Sequence, residues 1–391
     1  MSSTVSDLAP HAPKLLHNGT IHSTAEPYAE AMIVEDGQVA WLGSDETAER
    51  MRNERLEVQD LNRGLVAPGF VGMVGLELGQ LSAGAVAEVL DVAAHELGYS
   101  GVRLRVDLAS DDINAENAAA TAQRLTETLS AAAGHPVEVW PTVHLHDVEA
   151  DGGAPSIAPV NHLLDMLESL DALGRETAVQ FTIGEILPNL LGVRSWCAEA
   201  GRQLLLECSA TEASVVVDAI TTSQKHLREL KQSPSPITPT VLVGFDTAER
   251  GHWEQLLNTG VHVLLTTPGH LATALSVGVP TAAAPPEGEN PWQLVAAHVH
   301  HSSDPVSVRA GFNAQTRGAF RSLPDSRPMA GQLNPGTEAT YAVWEVEQLS
   351  VQTPHSTVSA WSTDQRARTP LLPYLDGETL PQLVSTVIQG R

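Results

Sequence analysis

The chain has 391 residues, 42% of them hydrophobic, with a formal net charge of -25 from 47 acidic and 22 basic side chains. A surface of that sign repels phosphate backbones and anionic lipid, so nucleic-acid and membrane partners are excluded, and no apolar run is long enough to span a bilayer. The two cysteines, Cys197 and Cys208, form no CxxC pair, which excludes a zinc ribbon or redox motif and makes both small core residues.

The opening segment, Met1 to Lys14, lacks a basic n-region and an apolar h-region, so the cytoplasm is the expected location. Two short strands follow. KLLHNGTIHS (Lys14 to Ser23) turns at Asn18-Gly19, and AMIVEDGQVAWLGS (Ala31 to Ser44) folds back at Glu35-Asp36-Gly37 as a hairpin. A helical stretch, Asp45 to Asn53, leads to a further extended run, Leu56 to Asp60.

After Leu65 short β-rich runs alternate with longer helical stretches, which signals βα units around a parallel sheet. The predicted strands are Val66–Val74, Val102–Val106, Val137–Leu145, Ala178–Ile183, Gln203–Glu207, Thr240–Phe245, His262–Thr266 and Thr281–Ala284. Helices are predicted over Ala85–Leu97, Ala115–Ala133, Val160–Leu173, Leu190–Ala200, Ala213–Leu230, Ala248–Leu257, Leu271–Ser276 and from Pro291 into His300. This is the size of a TIM-type (β/α)8 barrel. From Gly331 the pattern is β again, and Thr340–Val346 alternates as a strand expected to pair with the N-terminal ones. The expected organisation is an α/β fold. Residues 1–64 and 326–391 form the two parts of a small β-sandwich-like module, and residues 65–325 form the barrel.

The segments KLLHNGTIHS, AMIVEDGQVAWLGSDE and RGLVAPGFVG, with Pro68-Gly69-Phe70-Val71 leading into the first barrel strand, resemble the opening of amidohydrolase-superfamily enzymes of the family 3 type. SVRAGFNAQTRGAF (Ser307 to Phe320), the return through Gly331, Leu333, Pro335 and Gly336 into TYAVWEVEQL, and WSTDQRARTP (Trp361 to Pro370) resemble the other end of that family. The resemblance implies hydrolysis of amide or other non-peptide C–N bonds at one or two divalent metals, which lower the pKa of a bound water. It also implies a His-x-His pair on strand one, further ligands on later strands and an Asp on strand eight.

The residues at those stations do not supply this chemistry. Where the family reads PGFVDxHxH, this chain reads PGFVGMVGL, so Val74 and Leu76 stand at the histidine positions and Gly72 at the aspartate. Gln180 stands where the family places a lysine, the runs LLLECSA and VLVGFD hold no histidine, and TAAAPPEGENP holds no aspartate. Aliphatic and glycine side chains cannot donate a lone pair to a metal. No metal and no other cofactor is therefore expected.

The expected function is an amidohydrolase-like protein that is catalytically inactive and binds a small molecule at the barrel mouth, or serves a regulatory or structural role, including as a homo-oligomer. The alternative is a hydrolase acting on C–N bonds with a displaced site. Its candidate residues are His144 and His146 at the end of strand three, with Glu185, Glu207 and Asp246 ending the next three strands. His298-Val299-His300-His301, Thr266-Thr267 and Ser209-Ala210-Thr211 read as helix-end and capping residues. No GxGxxG or GxSxG motif is present.

Overall fold

The computed structural model describes residues 12–148, 150–151, 154–155, 158–170, 176–324, 327–352 and 369–391. Residues 361–368 of the tail motif, 171–173 of the predicted third barrel helix and 1–11 of the opening segment lie outside the described residues.

Eight strands pair in chain order into one parallel sheet: Phe70–Glu77, Tyr99–Ala109, Glu138–His146, Ala178–Thr182, Leu204–Glu207, Val241–Val243, His262–Leu265 and Thr281–Ala283. The architecture is the TIM-type barrel that the alternation predicts, with an added β module. Alternate residues on the strands serve two environments. Val106, Val143, Val179, Phe181, Leu206 and Val263 pack outward against helix residues such as Leu163, Val216 and Trp253. Val71, Ala178, Leu205, Val241, Leu264 and Ala282 form a separate inner cluster that fills the barrel. With both faces buried, the strands read as nearly continuous apolar runs.

Local chemistry sets the helix ends. Ser82 accepts from the Ala85 amide at 3.1 Å, and Asn290 accepts from the Trp292 amide at 2.9 Å with Pro291 in the first turn. Gly201 ends Leu190–Ala200 in the left-handed region. The segment resembling one helix after strand eight is two, Val308–Gln315 and Arg317–Arg321, separated at Thr316. The second closes the barrel floor. Its Phe320 belongs to the inner cluster and meets Trp140 edge-on at 5.9 Å. Next to it, the buried Arg103 donates to Gln203 at 2.9 Å and to the Ser322 carbonyl at 2.7 Å.

The first predicted strand is two strands. Leu65–Pro68 belongs to the β module, and the barrel strand begins at Phe70. Pro68 has no amide hydrogen with which to continue a ladder, and the chain changes sheet there. Leu65–Pro68 pairs antiparallel with Tyr341–Glu345 and parallel with Thr20–Ile21, while Tyr341–Glu345 also pairs with Gln382–Val387. The second sheet of the module orders Gln38–Gly43, Ala31–Glu35, Lys14–His17 and Glu57–Asp60. Leu16, Met32 and Val39 of that sheet pack on Ile21, Val66, Tyr341 and Val343 of the first, as in a sandwich. The module meets the barrel through aromatic rings. Phe70 lies edge-on to Trp292 at 5.3 Å and to Trp344 at 5.9 Å, and Trp292 stacks on Phe312 at 5.3 Å.

Candidate functional site at the barrel mouth

Parallel strands bring their C-terminal ends to one face, where barrel proteins place their sites. In the second strand, Arg103, Arg105 and Asp107 occupy alternate positions, out of phase with Val102, Leu104, Val106 and Leu108 in the outer layers. They face the barrel interior. Asp107 registers beside His144 of the third strand, His144 beside Gln180 of the fourth, and Gln180 beside Leu205 of the fifth. One inward row therefore carries a carboxylate, an imidazole and an amide on neighbouring strands.

Asp107 is the hub. Its Oδ1 lies 2.7 Å from His144 Nδ1, and its Oδ2 accepts from Arg105 Nε at 3.2 Å and Nη2 at 3.0 Å. Burial pushes the Asp107 carboxyl up, but the His144 hydrogen bond and the Arg105 charge together outweigh it and hold the group below the usual carboxylate range. An ionised Asp107 only accepts, so the shared proton sits on His144 Nδ1, with Nε2 on the far side of the ring. That Nε2 is buried without a partner, as are Thr142 Oγ1 and both amide atoms of Gln180, a residue only 1% exposed. Glu287, in the loop after strand eight, reaches across to accept the Gly75 amide at 3.0 Å. A β-carbon at Gly75 would lie 3.2 Å from the Glu287 carboxylate and 3.3 Å from the Arg105 guanidinium, so the bare glycine lets both approach.

The five displaced-site candidates each have separate company. His144 joins Asp107, and His146 pairs with Asp147 at 2.9 Å, with the two imidazole centroids 6.1 Å apart. Glu185 accepts the Val148 amide at 3.4 Å. Glu207 accepts from the Ser209 hydroxyl at 2.6 Å. Asp246 accepts the Thr266 amide at 3.1 Å; burial raises its pKa against the opposing hydrogen bonds of Thr267 and Thr266. Among the described residues no three His, Cys, Asp or Glu side chains are grouped to hold a metal ion.

The strand-one register differs from the one the motif implies. Val74 and Leu76 pack outward with Val86 and Leu90 of the first barrel helix, while Val71 and Met73 belong to the inner cluster. Gly75 and Glu77 continue that inward phase. The inward positions of this strand therefore offer a thioether, a glycine and a rim carboxylate, and no imidazole. Gln180 does face inward, between His144 and Leu205.

Arg105, Asp107 and Glu287 are absent from the sequence-level candidates. The signal for the first two is the alternation in VRLRVDL, in which polar residues recur at every second position of a strand that ends at Ala109 rather than Val106. Glu287 leaves no such trace, because its position depends on how the last loop folds over strand one. The remaining histidine motif is structural. His298 is fully buried with Nδ1 on the Leu294 carbonyl at 3.0 Å, and His300 Nε2 meets the Leu375 carbonyl at 3.0 Å. Burial drops His298 to about 4. Among the described residues, no helix is long and apolar enough to cross a membrane.

Known structures share this architecture. Guanine deaminase from E. coli superposes with a TM-score of 0.63 at 13% identity, covering 97% of this chain and 98% of that one. An adenosine deaminase from Xanthomonas campestris with bound zinc gives 0.63 at 11% identity, covering 97% and 92%. Triazine hydrolase from Arthobacter aurescens gives 0.60 at 12% identity, covering 97% and 94%. The fold is the amidohydrolase one. Identities this low establish the shared fold and leave the chemistry to the residues. No family profile matches the sequence, and no curated protein matches it.

Proposed function

We propose that this amidohydrolase-like chain is not a metal hydrolase and that its barrel mouth binds a small polar molecule. The observation that carries this reading is the inward row Asp107–His144–Gln180, level with Glu77 of strand one, whose preceding inward positions are Met73 and Gly75. A hydroxide-generating ion needs three or more nitrogen, oxygen or sulfur donors on one centre. Here the one imidazole of that row is tied to Asp107, and the amide beside it has both atoms free for hydrogen bonding. Buried polar atoms without partners are uncommon in folded proteins, and a bound ligand that supplies partners recovers their lost hydrogen bonds. The residues do not fit the ion that the fold implies.

Metal analysis tests the reading. Protein purified without chelator is expected to carry substoichiometric zinc, manganese and iron, and its unfolding temperature is expected not to change with EDTA. A tightly held divalent cation at one equivalent per chain overturns the proposal.

A further inference from the structure

We infer that the barrel mouth takes a small organic cation bearing N–H donors, an amine or an amidine, whose nitrogens meet His144 and Gln180 on the carboxylate-bearing face of the barrel. This deepens the small-ligand reading above and rests on it. Two independent observations carry it.

The first is the hydrogen-bonding sense of the inner row. Asp107 holds the proton of His144 on Nδ1 at 2.7 Å, so in the neutral imidazole Nε2 presents a lone pair. Gln180 is 99% removed from solvent, and its carbonyl oxygen is a second acceptor without a donor. Its neighbours Val179 and Phe181 lie in the outer cluster, so its own side chain is directed into the barrel. Two unfilled acceptors on adjacent strands call for a ligand that donates, and the Gln180 amide nitrogen, also unfilled, can donate to an acceptor atom of the same ligand.

The second is charge. Glu77, Asp107, Glu185, Glu207, Asp246 and Glu287 all stand at or just beyond the C-terminal ends of barrel strands and so share one face of the molecule. Arg105, the guanidinium within this row, is already engaged by Asp107 through two nitrogens. The net field at the mouth is negative, and low-dielectric walls focus such a field on whatever enters. Anions are repelled there, and a neutral molecule gains nothing from it.

Three probes of nearly the same shape separate these effects: benzamidine, a cation at neutral pH; benzamide, its neutral counterpart; and benzoate, the anion. Titration calorimetry on the full chain is expected to show benzamidine binding at least tenfold more tightly than benzamide, weakening as salt rises, with no binding of benzoate. Gln180→Leu and His144→Ala are each expected to weaken benzamidine at least tenfold. The unfolding temperature of Gln180→Leu serves as the folding control.

Benzamide binding as tightly as benzamidine, and lost in Gln180→Leu, overturns the cation assignment while the small-ligand reading stands. Benzamidine binding that neither variant alters places the ion elsewhere on the acidic surface and overturns the inference. No binding by any probe also overturns it, and the metal analysis then decides the broader reading separately.

Discussion

The Asp107 carboxylate holds His144 from one side at 2.7 Å and Arg105 from the other at 3.0 Å, so one half-buried acid orients both an imidazole and a guanidinium. Asp107→Asn removes the charge that orders them. The variant is expected to lose about 1–3 kcal/mol of stability, the usual cost of spoiling a charge-assisted hydrogen bond. Imidazole nitrogen shifts in an NMR spectrum should change from a single Nδ1–H form of His144 to a mixture. Unchanged nitrogen shifts would show that Asp107 does not set the tautomer.

Acid sensitivity follows from two buried imidazoles and a third that is half-buried. Burial lowers His22, His262 and His298 from 6.5 to about 4 each. The unfolded chain therefore binds more protons than the folded one between those values, and stability rises with pH across the interval and is lost on acidification through it. Each group contributes roughly 3 kcal/mol at the full shift. Asp107, with its depressed pKa, adds stability that is lost only lower, as pH falls below the ordinary carboxylate range. Calorimetric melts from pH 7 to pH 4.5 should show a steep fall in unfolding temperature. A flat profile would mean that these histidines are charged in the folded state.

Gly98 lies at a positive φ of 72°, and a β-carbon there would come 2.5 Å from the Trp344 ring. Both the backbone conformation and the contact oppose any larger residue. Gly98→Ala is expected to cost about 2–4 kcal/mol, measurable by urea denaturation. A cost below about 1 kcal/mol would show that Trp344 yields at little cost.

The aromatic junction of Phe70, Trp292, Phe312 and Trp344 ties barrel to module. Trp292 is fully buried, and Trp292→Ala should cost about 3–5 kcal/mol. The wild-type chain should unfold in a single transition, because the junction is shared. Two well-separated transitions in wild-type calorimetry would contradict that coupling.

Gln180→Leu replaces an amide without partners by an apolar side chain of similar size in a mainly apolar barrel. Without ligand it should leave stability unchanged or raise it by about 1 kcal/mol. A loss of several kcal/mol would reveal hydrogen bonds that Gln180 makes in the ligand-free protein.

The barrel was readable because its strands are short apolar runs with hydroxyl- and glycine-marked helix ends; Leu190–Ala200 and Ala213–Leu230 match the predicted helices residue for residue. Strand one was read one sheet too early, since periodicity continues through Pro68 while the hydrogen-bonding partner changes. Of the site, His144 was legible from its place at the end of strand three. Its partnership with Asp107 was not, because cross-strand register depends on how neighbouring strands align and no single strand encodes it. On strand one, Val74 and Leu76 keep the motif's spacing but lie on the outward face, a phase that spacing alone does not set.

Leu65–Pro68 takes one neighbour from early in the chain, Thr20–Ile21, and the other from Tyr341–Glu345, far downstream. During synthesis that segment must wait, with one edge bare, until nearly the whole polypeptide has left the ribosome. The module can close only after the barrel sequence has been made, so the nascent protein carries an open strand edge through most of its translation, a period in which chaperone cover would matter most.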